Sequence, residues 1–204
     1  MAVSGSRNGM IGDEDEGGDA SLEFYDPDHL SSSDSDTPPH LRDLAAASVA
    51  GDFNALKLAL DNLLGSIDEP VEDGDTALHL TCLYGHLPCA QLLIERGASL
   101  EVKDEDGALP LHDACAGGFT EIVQLILDRA GEPQYVSRLL EAVDVEGDTP
   151  LHHAARGEHA VVIQMLLNAG ASPTKSNVYG KTPYELADPD TFARRVLEAV
   201  TSVS

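Results

Sequence analysis

The chain of 204 residues contains no tryptophan, and aromatic residues make up only 4% of it. A core without large rings must be filled by Leu, Ala, Val and Ile, which favours thin helical layers over a thick globular core. Basic residues are scarce too: 12 Lys and Arg stand against 36 Asp and Glu, a formal charge of −24. That balance repels nucleic-acid phosphates and anionic lipid, so neither is expected as a partner. It favours a basic protein surface as partner, or simply keeps the chain soluble. Only three cysteines are present, Cys82, Cys89 and Cys115. An odd number, with no apolar leader stretch at Met1 to Gly12, argues against a disulfide framework and for a cytoplasmic or nuclear protein. No apolar run approaches the roughly 20 residues that a membrane-spanning helix needs.

Residues 1–37 are acidic, rich in Gly and Ser, and carry a single basic residue, Arg7. Such a segment buries too little apolar surface to offset its ordering entropy, so a disordered tail is expected. Leu22-Glu23-Phe24-Tyr25 is its one apolar island, and Pro38-Pro39 marks its end. Ser31 and Ser33 each have an acid three residues on, at Asp34 and Asp36. They are candidate phosphosites resembling those of acid-directed kinases.

From residue 40 onward the apolar spacing is helical and the punctuation is periodic. Gly74-Asp75-Thr76-Ala77-Leu78-His79 returns as Gly107-Ala108-Leu109-Pro110-Leu111-His112 and as Gly147-Asp148-Thr149-Pro150-Leu151-His152, with a weaker copy at Gly180 to Glu185. Successive glycines lie 33, 40 and 33 residues apart, so the middle interval holds a 7-residue insertion. The turn glycines Gly85 and Gly118 stand six residues beyond His79 and His112 and precede apolar runs.

The 33-residue period and the T-P-L-H signature resemble the ankyrin family over about residues 40–200. There is also a similarity to short plant ankyrin-repeat proteins, from which no function is carried over. The resemblance implies an all-α solenoid of stacked helix-turn-helix units with short turn or hairpin arms. About five repeats are expected, two of them caps. Their expected bounds are 40–70, 71–103, 104–143 with an insertion at 128–143, 144–176 and 177–200, within a domain of residues 38–204.

Each motif element has a local reason. Asp and Gly suit a tight turn. Thr149 is placed to cap a helix, and Pro150 fits a first helical position that needs no backbone donor. Leu109 replaces threonine and loses a cap. Glu158 stands at the turn-glycine position with Gly157 one place earlier, which predicts a turn shifted by one residue. A single repeat cannot bury both of its faces, so the units must stack.

The His and Cys residues invite a metal reading. His79 lies near Cys82, and His112 near Cys115. However, Cys82, Cys115 and Ala155 share one repeat position, which reads as a small buried space. Zinc needs four converging ligands, and these pairs fall in different repeats. No metal and no cofactor is expected. His152, His153 and Asp113 could suggest acid-base work, yet no nucleophile, base and orienter assemble, and no enzyme is expected. In the family, Thr76, His79, His112, Thr149 and His152 would be structural.

The resemblance implies that partners bind the arm tips and the exposed side of the inner helices. By phase, these are Glu72, Asp73, Asp75, Leu83, Tyr84, Glu105, Asp106, Glu146, Asp148, Arg156 and Tyr179. Ala116, Gly117 and Gly157 would leave a trough between Tyr84 and Arg156. The expected protein is a monomeric adaptor or regulatory subunit that holds a basic protein segment. The alternative is a transcriptional or signalling co-regulator whose acidic tail is the active part.

Overall fold

The computed structural model describes residues 40–71 and 74–202. Ser31, Ser33, Glu72 and Asp73 lie outside the described residues, as does the whole expected tail. Among the described residues there are eleven helices and no strand. The chain is an all-α solenoid.

The helices alternate between two layers. The inner layer comprises α1 (Arg42–Ala50), α3 (Ala77–Leu83), α5 (Pro110–Ala116), α8 (Pro150–Arg156) and α10 (Pro183–Leu186). The outer layer comprises α2 (Phe53–Asp61), α4 (Leu87–Glu95), α6 (Thr120–Ala130), α9 (Ala160–Asn168) and α11 (Phe192–Thr201). Each inner helix packs on the next inner helix and on its own outer partner. Helices of seven residues are too short to persist alone, so the stack supplies what propensity cannot.

The core is a repeated leucine. Leu44, Leu78, Leu111 and Leu151 are fully buried on the inner helices, facing Leu56, Leu93, Ile126 and Leu166 of the outer ones. Burying each such side chain contributes about 1.5–3 kcal/mol. Cys82, Cys115 and Ala155 are buried at one shared position between inner helices, and all three cysteines are free thiols. The insertion forms an extra helix, α7 (Pro133–Glu141), anchored by buried Leu139 and Leu140. It packs on α6 and α8. The last inner helix is cut to four residues. Pro189 follows close behind it, where a continuing helix would need a backbone donor that proline lacks.

The turn at Glu158 corrects an expectation. Glu158 itself takes the left-handed conformation, with φ +59°, whereas Gly157 has φ −80°. The register is unshifted: Glu158 N–H donates to Ala155 O, just as Gly85 and Gly118 donate to Cys82 O and Cys115 O. Gly157 is glycine because of a close approach. A Cβ there would meet the His159 ring at 2.5 Å and Ala116 O at 3.0 Å. The one-residue shift occurs in the last repeat, at Asp190 with φ +67°.

Candidate functional site

The T-P-L-H histidines are inter-repeat ties. His79 Nδ1 accepts the Thr76 amide at 3.1 Å, with the Thr76 hydroxyl 2.9 Å away. Its Nε2 then points at the Ala108 carbonyl of the next repeat, 3.4 Å off. His152 repeats this arrangement with Thr149 and with the Lys181 carbonyl at 3.2 Å. His112 accepts only the Leu109 amide, since leucine has no hydroxyl, and its buried Nε2 has no partner. Burial lowers all three imidazole pKa values, that of His112 to about 4. These rings are buried, and each accepts a cap bond on Nδ1.

The arms are built on one staple. Asp104 Oδ1 accepts the Ala108 amide, Asp144 Oδ1 the Asp148 amide and Asn177 Oδ1 the Lys181 amide, at 2.8–2.9 Å. Arms also join tip to tip. Val145 N–H donates to Asp106 O at 2.7 Å, and Val178 N–H to Glu146 O at 2.9 Å.

Polar side chains of one repeat meet those of the next at three successive junctions, and their chemistry differs from one junction to the next. Between repeats 4 and 5, Asp148 Oδ1 accepts from Asn177 Nδ2 at 2.7 Å, and its other oxygen accepts from Arg156. Between repeats 3 and 4, His153 Nε2 lies 2.8 Å from Asp144 Oδ2. Burial pushes the Asp144 carboxyl up, but the His153 and backbone bonds outweigh it and hold the group below its usual range. Between repeats 2 and 3, Asp75 and Asp104 stand at the positions of Asp148 and Asn177, and Asp113 at that of His153, so all three are carboxylates. Burial, then the charges of Asp75 and Asp104, push the Asp113 carboxyl up to about 8. Its Oδ2 is buried with no partner. Leu83 stands at the repeat position that Arg156 fills, so repeat 2 supplies no guanidinium there.

A family model for ankyrin repeats in three copies matches residues 44–135, and one for ankyrin repeats in many copies matches residues 135–187. The chain belongs to the ankyrin-repeat family. No curated protein matches it. Ankyrin repeats are general protein–protein interaction scaffolds.

On this ankyrin stack, the residues expected to face a partner divide into several groups. Leu83 and Tyr84 are exposed side by side on the inner face, and Glu105 and Asp106 are exposed at an arm tip. Tyr179 is exposed at the last tip, while Asp75 is half-buried. Glu146 and Arg156 pair at 3.6 Å. Asp148 corrects the expectation: it is fully buried, and both oxygens are engaged by Asn177 and Arg156, so it presents nothing to a partner. Arg156 stays exposed while it pairs with both Asp148 and Glu146.

The expected trough is corrected as well. Ala116 and Gly117 are exposed, but a Cβ on Gly117 would meet the Phe119 ring at 2.2 Å. His159 fills the same space beside Gly157. These glycines admit the ring of the following turn instead of leaving a groove. Outside that set, Asp104 and Asp113 belong to the acidic junction, and Val145 and Val178 are exposed at tips. Aligning the repeats column by column would have flagged Asp113, since Leu80 and Leu186 hold its position elsewhere.

Two sets of three potential ligand atoms lie within 4.8 Å of one another, at Asp75, His79 and Asp104 and at Asp144, Asp148 and His153. Neither suits a metal. His79 already uses Nδ1 as acceptor and directs Nε2 at a carbonyl. A cation beside Asp148 would face the Arg156 guanidinium.

Proposed function

We propose that this ankyrin-repeat protein is an adaptor or regulatory subunit that seats a basic side chain of a partner protein at the junction of repeats 2 and 3. The observation that carries this reading is the chemistry of the three junctions. Where the chain uses its acids in its own stack, it supplies His153 as a hydrogen-bond partner of Asp144 and Arg156 as an ion-pair partner of Asp148. At the junction of repeats 2 and 3, Asp113 replaces the histidine as a further carboxyl beside Asp75 and Asp104, and Leu83 replaces the arginine, with exposed Leu83 and Tyr84 forming an apolar wall. Arg156 on Asp148 is the chain's own example of a guanidinium held at this repeat position. The aliphatic stem of a partner arginine packs on such a wall while its head reaches the acids.

The reading has a proton signature. With a carboxyl pKa of about 8, Asp113 is mostly protonated at pH 7. An incoming cation favours the charged form, so binding releases that proton. Titrating the full chain with an arginine-rich peptide, in buffers of differing ionisation enthalpy, measures the release. Binding should weaken as salt rises and release up to about one proton, and the release should vanish in Asp113→Asn. Peptide binding that is indifferent to salt, or unchanged in Asp104→Asn/Asp113→Asn, overturns the reading.

A further inference from the structure

The row of arm tips changes character along the stack. At one arm position stand Glu105, Val145 and Val178, and at the next Asp106, Glu146 and Tyr179. The first tip is wholly acidic, the second mixed, and the last apolar. Val145, Val178 and Tyr179 are each about two-thirds exposed, at 66%, 65% and 67%. Val178 rests its Cγ1 near Gly147 of the preceding arm, so the two valines lie on adjoining arms.

The backbone of the last arm is also open. The tip-to-tip ladder runs from Val145 N–H to Asp106 O, then from Val178 N–H to Glu146 O. The next acceptor in this series is Tyr179 O, and no N–H among the described residues reaches it. One charge is reversed at this arm, with Glu185 near enough to feel it. Lys181 stands at the repeat position held by Asp75 and Asp148, is exposed, and forms no ion pair among the described residues.

We propose that the last arm is a docking edge for an extended segment of a partner protein, one that carries an apolar residue beside a carboxylate. The segment adds to the ladder by donating a backbone N–H to Tyr179 O, as strand addition does at a sheet edge. Its apolar side chain covers Val145, Val178 and Tyr179, and its carboxylate pairs with Lys181. A second copy of this chain is disfavoured as occupant, because two bodies of charge −24 repel. The inference rests on the reading that this surface binds protein. It places a second contact of opposite charge preference two repeats away from the acidic junction.

The test pans the full chain against a display library of random linear peptides. The expected winners carry an apolar residue next to Asp or Glu. Tyr179→Asp should weaken them about tenfold or more, and Lys181→Glu should turn the preference from acid to Lys or Arg. N-methylating the amide of the apolar residue should also weaken binding several-fold, because the ladder bond is lost. Tyr179 is exposed, and a circular dichroism melt equal to the parent's shows that the variant still folds. An empty selection, or winners that bind Tyr179→Asp as well as the parent, overturns the inference. So does a dimer seen by sedimentation and abolished by Tyr179→Asp. Winners that are only basic, lost in Asp104→Asn and indifferent to Tyr179→Asp, overturn it while leaving the acidic junction standing. Apolar–acidic winners sensitive to Tyr179, found when the arginine-rich peptide fails at the junction, support the edge and overturn only the earlier reading.

Discussion

His152 Nε2 stands 3.2 Å from the Lys181 carbonyl, so the histidine that caps one repeat also holds the arm of the next. The corresponding nitrogen of His112 has no partner, although its ring is equally buried. The interval from the His112 repeat to the next arm is the 40-residue one that carries α7.

This difference predicts unequal costs. His152→Ala removes the contacts to the Thr149 amide and hydroxyl and the inter-repeat bond, whereas His112→Ala removes the Leu109 cap bond alone. Both lose similar packing. His152→Ala should therefore destabilise the chain by about 1 kcal/mol more than His112→Ala. Urea unfolding followed by circular dichroism measures the gap, and equal costs would refute the role given to the Lys181 contact.

Protonation should make stability depend on pH in two opposing ways. His112 has a folded pKa of about 4, below its usual value, so the folded state takes up its proton less readily. Its contribution is complete above about pH 6.5 and is lost as the pH falls toward 4. Asp113 has a folded pKa of about 8, above its usual value. Between about pH 4 and 8 the folded state binds more protons than the unfolded one at this group, so stability falls as pH rises. Between pH 6.5 and 8 the Asp113 effect stands alone of these two. Its slope is at most about 1.4 kcal/mol per pH unit. Asp113→Asn should flatten that slope in urea titrations across the interval, and an unchanged slope would contradict the assignment.

Glu158 combines a strained backbone with a useful side chain. It holds φ at +59°, and its carboxylate accepts the Asp188 amide of the last repeat. Glu158→Ala keeps the strain and loses the bond, which should cost about 1 kcal/mol. Glu158→Gly loses the same bond but relieves the strain, so it should be more stable than the alanine variant by about 1 kcal/mol. Thermal melts of both variants decide this, and the reverse order would refute it.

Cys82 and Cys115 are buried free thiols that fill small spaces between inner helices. Cys82→Ala/Cys115→Ala should retain the parent helical content, at a cost of about 1 kcal/mol per site for lost packing. Adding a chelator should leave the melting temperature of the parent chain unmoved. A fall on chelation would show that a metal supports the stack.

The sequence by itself determined the periodic part of this protein. Gly74, Gly107, Gly147 and Gly180 set the phase, and Thr or Leu followed by Pro, Leu and His then fixes a cap, a first turn and a buried leucine by local rules. The 7-residue excess announced an inserted element, and Tyr135 to Leu140 had the pattern of its helix. What those local rules leave open was decided by contacts between repeats. Asp148 reads as a tip acid until Asn177 and Arg156, distant along the chain, close on it. Gly117 and Gly157 read as a trough until the rings of Phe119 and His159 occupy the space. Asp113 reads only as a candidate for acid-base work until the stack brings Asp75 and Asp104 beside it and shuts out water. A one-dimensional pattern records what each repeat needs for itself. Which neighbour neutralises, fills or crowds a side chain depends on the stacking, and there the acidic junction and the open last arm take form.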